Sequence, residues 1–530
     1  MVSQKFFLKA ASFIIRHPLK MRYPSPMPSQ PKKLNGPFRV YIGLVPSGYL
    51  DPAGISQTIQ EGINFCGLTG KLSGKVVIRP DLADVPLPQR NYASVHNSFL
   101  KAALPVLSST NKNIAQLLVL GRNHTAVKNG EQALSDNPQV SIESIDSNPL
   151  IEYLLSKDRA LNYQERNIAD NRLSPAPFRY WNRIATSPHF ADADSIVYMP
   201  KLKSSVLTDG FSGALRLGGE GNLTSDQALT GQNLHNDRRI NDMLEVANPD
   251  LIISDGIIAA YGGNELTQAG HELGVILVAN NPVAHDIIAA QIFNKDPLSI
   301  NHLRIAMERG WGPQNSKKIA LGGAGEEGIA LLREKTAHWD SGFIRLEQFA
   351  EKYAQENGGL SFPWEIISGT PYEAAGTHGM LLSWLYSAYD NRAKRLSMTR
   401  WPKASIVLGE TSRLPQHGLV LLLGDRAIAS FKKQTTEAHL LISQGSRSLW
   451  KVRLRNSRTH IVAMQEGSPP TLQDLNLFFF MASLGRVKTN LLRWSIFKKS
   501  KPKNKRSSPR LVAKVKTSDF KRNLWWAQGD

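Results

Sequence analysis

The stretch DSIVYMPKLK, residues 194–203, decides how this sequence is read. A run rich in β-branched and aromatic residues is broken at Pro200, and two lysines follow at alternate positions, Lys201 and Lys203. Such a run suits a buried strand, and proline cannot donate the hydrogen bond that would continue the ladder. The reading is therefore a strand that stops at Pro200, with Lys201 and Lys203 directed from a loop into a crevice.

Working outward, the same pattern recurs. KVVIRPDL (75–82) and IAQLLVLG (114–121) lie upstream, and PDLIISDGI (249–257) and GVILVANNP (274–282) lie downstream, each a strand followed by polar or turn residues. A further strand is expected at 38–44. Helical spacing appears at about 55–65 and 98–107, in PVAHDIIAAQIF (282–293) with Pro282 at the first helical position, and in LSINHLRIAMERG (298–310), ended by Gly310. Strands alternating with helices indicate an α/β fold with a doubly wound, mainly parallel sheet. A mainly helical insertion follows, and strands resume in ASIVLGE (404–410), GLVLLLGD (418–425) and THIVAMQEG (459–467) as a smaller C-terminal α/β part. The expected organisation is an N-terminal basic amphipathic helix and linker (1–37), an α/β core (38–325), a helical segment (326–400), C-terminal strands and helix (401–497), and a basic tail (498–530).

With 530 residues the chain has material for two or three domains, and its 41% hydrophobic and 20% charged composition is that of a globular protein. No apolar run reaches the roughly 18 residues that span a bilayer. Cys66 is the only cysteine, which excludes an internal disulfide, a four-cysteine zinc site and a conventional iron–sulfur cluster, and points to the cytoplasm. The start, MVSQKFFLKAASFIIRHPLK, has Lys9 inside its apolar run and no small-x-small cleavage site, so a basic amphipathic helix is expected rather than a signal peptide. The net charge of +20 is uneven: between Lys498 and Arg522 there are eleven Lys or Arg and one acid, Asp519. Charge is a property of the tail.

Ligands of open parallel sheets sit outside the carboxyl ends of strands. The polar residues expected there are Arg79, Asp81, Lys201, Lys203, Asp255, Asn280 and Asn281. Lys201 and Lys203, with Arg79 and with Arg216 in the glycine-rich loop expected at FSGALRLGGEGN (211–222), suit a phosphate or carboxylate, although that loop matches neither the Walker nor the dinucleotide fingerprint. The alternative is a solvated loop with ordinary surface lysines. A second set, His235, Asp237 and Asp242 with Asp255 and Asp286, has the donors for a divalent cation; local ion pairs with Arg238 and Arg239 explain Asp237 equally well. His271 and Glu265 lie in YGGNELTQAGHELG (261–274), a place for general acid–base work or simply an exposed turn. Lys201, Lys203, Asp255 and His271 are thus the candidates for catalysis. No Ser-His-Asp arrangement stands out, and Cys66 is read as core.

In this order, IVYMPKLKSSVLTDGFSGALRLGG, HNDRRINDML, PDLIISDGI and GVILVANNPVAHDIIAAQIF resemble the domain of unknown function 362 family. KVVIRPDL resembles that family's strand end, with Arg79 and Asp81 where Lys and Asn are common. The resemblance covers roughly 75–313, with weaker echoes at LLLGDRAI and EGSPPTL. It implies an α/β domain without an assigned activity, and it adds weight to Lys201, Lys203, His235, Asp255 and Asp286 as functional residues. Some members carry ferredoxin-like clusters. Here Arg426 and Ser468 stand where relatives often have cysteine, so an iron–sulfur role does not carry over.

Three functional readings follow. The first is an intracellular enzyme or binding protein that holds an anionic small molecule, with or without a divalent metal, around Lys201 and Asp255. The second is a protein peripheral to anionic membranes through its N-terminal helix, the 477–497 helix and the tail. The third gives the tail, with Trp525 and Trp526, to nucleic acid, but no nucleic-acid fold motif supports it.

Overall fold

The computed structural model describes residues 37–82, 90–121, 140–144, 151–154, 183–186, 188–221, 236–244, 247–265, 267–356, 364–368, 378–390 and 403–408, and short pieces from there to 465. The expected N-terminal helix, His235, Arg426, Ser468, the 477–497 helix and the basic tail lie outside the described residues.

Nine strands form the main sheet: β1 (Phe38–Leu44), β2 (Gly74–Pro80), β3 (Ile114–Gly121), β4 (Val140–Ser144), β7 (Ser195–Met199), β8 (Lys201–Lys203), β9 (Leu251–Tyr261), β10 (Ala269–Ala279) and β11 (Ile319–Gly323). β5 (Ile151–Leu154) and β6 (Arg183–Thr186) form a separate antiparallel pair. The main sheet runs β11-β1-β10-β9-β7-β2-β3-β4, with β8 paired to β9. Every strand is parallel to β9 except β10, which runs antiparallel between β9 and β1. The α/β, mainly parallel reading holds.

The central strands are apolar on both faces because both faces are covered. On one side Val76, Ile78, Val197, Met199 and Ile253 pack on helices α1 (Pro52–Phe65) and α2 (Asn97–Thr110) through Ile55, Ile59, Phe99 and Leu100. On the other, Val77, Tyr198 and Ile252 face α3 (Ala214–Gly221), α4 (Asn236–Met243), α5 (Pro282–Ile292) and α6 (Asn301–Glu308). Each such fully buried Leu or Ile contributes about 1.5–3 kcal/mol relative to exposure. Pro282 does open α5, behind an Asn281 cap that accepts from the N–H groups of Val283 and Ala284 at 3.0 and 2.9 Å. Because α2 follows β2 on one side and α3 and α4 follow β7 on the other, the winding reverses between β2 and β7.

Three strand ends depart from the expectation. Pro200 interrupts its strand without ending it: its carbonyl accepts from Asp255 N at 3.0 Å, and the chain resumes pairing as β8, with Lys201 opposite Asp255 and Lys203 opposite Ala260. The two lysines are therefore buried strand residues rather than residues of a loop. Asp255 is not at a strand end either, since β9 continues six residues further to Tyr261. β10 begins at Ala269, five residues before the expected start, so His271 is paired in a strand opposite Ala259. A bulge at Gly274, whose φ of +72° suits glycine, separates that early part from the apolar run.

Beyond the main sheet come α7 (Gly325–Thr336), α8 (Leu346–Glu356) and α9 (Gly379–Asp390). A second sheet is entirely parallel, in sequence order: β12 (Trp364–Ser368), β13 (Ala404–Leu408), β14 (Leu419–Leu423), β15 (Leu440–Gln444) and β16 (Val462–Gln465). Its first strand lies within the stretch read as helical.

Candidate functional site

The crevice where the winding reverses is filled by charge. Alternation along β8 sends Leu202 into the core on the α3–α6 side and both lysines to the α1–α2 side. Lys201 Nζ lies 2.8 Å from Asp255 Oδ2 and donates to the Tyr49 hydroxyl at 2.7 Å. That hydroxyl donates in turn to Asp255, at 2.7 and 2.9 Å from its two oxygens. Asp255 also accepts from the backbone N–H of His96 at 2.9 Å and of Ile257 at 3.2 Å. Lys201 and Asp255 are fully buried, whereas Tyr49 and His96 are half-buried and stack ring on ring with centroids 3.9 Å apart. The buried pair meets the outside through these two rings.

Burial outweighs the neighbouring Asp255 and pulls Lys201 below the ordinary lysine value. Burial, with Asp255 adding to it, pushes the Tyr49 hydroxyl far up, so it stays protonated. His96 is held below its usual value, again chiefly by burial. Its Nδ1 accepts from Ser98 N at 3.2 Å at the start of α2, which leaves the proton of the neutral ring on Nε2.

Lys203 makes a second knot. Its Nζ lies 2.9 Å from Asp81 Oδ2 and 2.9 Å from Glu265 Oε1, and it donates to the carbonyl of Ala93 at 3.0 Å. Burial lowers Lys203, but Asp81 and Glu265 together outweigh it and hold the amine above the ordinary value. Arg216, on the first turns of α3, lies 3.7 Å from the same Glu265 oxygen. Arg79 stays nearby but turns to the sheet, donating from Nη1 to the carbonyls of Pro80 and Leu120 at 2.9 and 3.0 Å. Lys201, Lys203 and Arg216 are thus matched by Asp255, Asp81 and Glu265.

The other face of β9 carries a different network. Ser254 Oγ bonds His285 Nε2, and His285 Nδ1 donates to Asp286 Oδ1 at 2.7 Å. Asp286 also accepts from the N–H groups of Ala214 and Leu215 at 2.7 and 3.0 Å, so its carboxylate occupies the N-terminus of α3. All three side chains are fully buried. This corrects the reading of FSGALRLGGEGN as a loop that cradles a ligand. Residues 214–221 are a helix, and the glycines in it and just before it admit close neighbours: a Cβ at Gly213 would lie 2.3 Å from Asp286 Oδ1, one at Gly218 2.8 Å from the Tyr198 ring, and one at Gly219 2.5 Å from the Ile240 side chain. The anion at this helix end is the protein's own.

Of the expected residues, the fold brings together Lys201, Lys203, Asp255, Arg216, Asp81 and Glu265, with Arg79 at the margin. It separates Asp255 from Asp286, which lie on opposite sides of β9. Asp237 lies in the first turn of α4, and Asp242 pairs with Arg309 at 2.7 Å. Among the described residues no group of three or more His, Cys, Asp or Glu is placed to hold a metal ion. His271 stacks on Trp339, centroids 4.6 Å apart, away from the lysines' partners. Sequence reasoning missed Tyr49 and His96. Tyr49 sits in a one-turn helix (Gly48–Leu50) after β1, and His96 is the cap of α2. A cavity of about 390 Å³ opens at the ends of β1 and β11, lined by Tyr41, Leu44, Gln57, Thr58 and Glu61 among others. None of its lining residues belongs to the lysine network, and the chemistry of the crevice outweighs it as a site.

Among the described residues no helix is long and apolar enough to cross a membrane. A family model described as "Domain of unknown function (DUF362)" matches residues 76–291. That span runs from within β2 into α5 and includes every member of the lysine network except Tyr49. No curated protein matches the chain.

Proposed function

We propose, on the match of residues 76–291 to the family model of the domain of unknown function DUF362, that the crevice between β2, β7 and β9 binds an anionic small molecule and exchanges a proton with it. The observation that carries this reading is the chain Lys201–Tyr49–Asp255. A buried lysine below its ordinary value is joined through a hydroxyl to a carboxylate, and the assembly reaches the outside through half-buried Tyr49 and His96. Strongly perturbed groups in a strand-end crevice are the usual mark of acid–base work. In this reading Lys203 and Arg216 face the ligand's carboxylate or phosphate, neutral His96 donates a hydrogen bond to it from Nε2–H, and the Lys201 ammonium supplies the proton, passing it to the Tyr49 hydroxyl as that hydroxyl gives its own to the ligand. Asp255 fixes Tyr49 and, through the His96 backbone, the position of that ring.

The test is a titration of the full chain with inorganic phosphate and with succinate, followed by thermal unfolding and calorimetry. The wild type is expected to gain stability with at least one anion, and Lys203→Met to lose that gain while keeping its near-ultraviolet circular dichroism. An equal response in folded Lys203→Met would sink the proposal.

A further inference from the structure

Two buried cations converge on one carboxylate that is itself reachable from solvent. The side chains of Lys203 and Arg216 are 2% and 4% exposed, while that of Glu265 is 33% exposed, and both cations direct a nitrogen at the same oxygen, Oε1, at 2.9 and 3.7 Å. Lys203 has a second carboxylate, Asp81, but the two acids are held differently. Asp81 is 15% exposed and its backbone is paired on both sides, its N–H to the Met199 carbonyl and its carbonyl to Val95 N–H, each at 2.9 Å. Glu265 sits on the turn between β9 and β10. That turn is pinned just before it, where Asn264 Nδ2 donates to the carbonyl and hydroxyl of Ser383 in α9 at 2.6 and 3.1 Å, and just after it, where Thr267 N donates to the Asn264 carbonyl at 2.9 Å. The longer Glu265 side chain can swing out by rotation about its own bonds while the backbone stays in place.

We propose that Glu265 occupies the subsite for the ligand's oxyanion, and that a carboxylate or phosphate group binds by displacing it from Lys203 and Arg216. This rests on the proposed function of the crevice and specifies where the anion lies. The geometry supports it: turning Glu265 out takes away one of the two carboxylates set against Lys203 and the carboxylate 3.7 Å from Arg216, so an incoming anion restores the charge it displaces. Guanidinium and ammonium groups set against one oxygen are the common arrangement for carboxylate and phosphate recognition. Glu265 therefore acts as a built-in competitor that raises the ligand concentration needed to occupy the subsite.

The experiment compares the wild type, Glu265→Gln, and the double variant Glu265→Gln with Lys203→Met, by calorimetric titration with inorganic phosphate in one arm and succinate in the other, at constant ionic strength set with chloride. Glutamine keeps the size and removes the charge, so the fold is retained. Glu265→Gln is expected to bind at least one of the two anions more tightly by roughly tenfold or more, a change of about 1.4 kcal/mol, and the arm that gains identifies the oxyanion class. The double variant is expected to lose the gain. Equal affinities in the wild type and Glu265→Gln, with binding still dependent on Lys203, would overturn the role of Glu265 and leave the proposed function standing. A gain that survives in the double variant would place the anion elsewhere and also overturn it. No binding in any variant would overturn both.

Discussion

β9 carries two buried carboxylate networks, one on each face, built to opposite ends. Toward α1 and α2, Asp255 meets a lysine, a phenol and backbone N–H groups, and two half-buried rings connect it to the outside. Toward α3 and α5, Asp286 meets a histidine and a helix N-terminus, and nothing in its network is exposed. Both residues look alike in sequence, an aspartate beside an apolar run. The difference teaches that a buried charge is a structural device when fixed amides complete its shell. It becomes a chemical one when part of its shell can be exchanged for a ligand. Three sets of substitutions test that contrast, beginning with the largest effect.

Asp286→Ala removes the acceptor for His285 and for two helix amides at once, and it is expected to destabilise the fold by about 4 kcal/mol, since stripping one partner from a buried polar pair leaves the other uncompensated. Gly213→Ala attacks the same contact from the other side by placing a Cβ 2.3 Å from Asp286 Oδ1, at a cost of about 1–3 kcal/mol. Denaturant unfolding of both variants and of the double should show strong coupling, because Asp286→Ala removes the clash that Gly213→Ala creates. Costs below about 1 kcal/mol for Asp286→Ala would mean that the sealed network is not structural.

Lys201→Met tests the open side. It leaves Asp255 buried with only the Tyr49 hydroxyl and backbone donors, at an expected cost of about 3 kcal/mol. Adding Asp255→Leu should recover most of that loss, because an ion pair replaced as a whole by apolar groups is often neutral in stability. If the sealed and open sides differ as argued, Lys201→Met with Asp255→Leu folds well but responds more weakly to phosphate and succinate than the wild type, because Tyr49 and His96 lose the carboxylate that fixes them. Full recovery of ligand response in that double variant would contradict a chemical role for the pair.

The same contrast explains what the sequence makes legible. The sheet, its mainly parallel sense and the breaks at Pro200 and before Pro282 follow from local pattern, and so does the position of Lys201, Lys203 and Asp81 after apolar runs. Their burial was not legible, because it depends on partners far along the chain: Tyr49 is 152 residues from Lys201, and Asp81 is 122 residues from Lys203. A polar residue in an apolar run reads as a strand end when its partner is unseen, which is why Asp255 and His271 read as turn residues. Tyr49 carries no local mark at all, since one tyrosine in a glycine turn has no periodic or spacing signal. The separation of Asp255 from Asp286 follows from strand alternation, yet it becomes visible only when the helix carrying Asp286 is known to cross on the other side.

The smallest effect belongs to a third carboxylate. Asp209, in the turn after β8, holds a left-handed backbone with φ +55° and accepts from Asn301 N at 2.9 Å, so it caps α6 as Asp286 caps α3. Burial pushes its pKa up from 3.8 to about 6, with Asp237 adding to the rise and the Asn301 N–H, Lys295 and Arg304 opposing it. Between those values the folded protein holds a proton that the unfolded chain has released. The associated stability is therefore complete below about pH 4 and is lost as pH rises toward 6. Asp209→Asn keeps an acceptor for Asn301, tolerates the left-handed backbone and cannot titrate. Relative to wild type it is expected to gain on the order of 2 kcal/mol between pH 4 and pH 7, read from denaturant unfolding at each pH. A difference between the two proteins that stays constant across that window would show that the Asn301 N–H and the neighbouring cations hold Asp209 ionised against its burial. The line between sealed and exchangeable carboxylates would then have to be drawn elsewhere than at the helix ends.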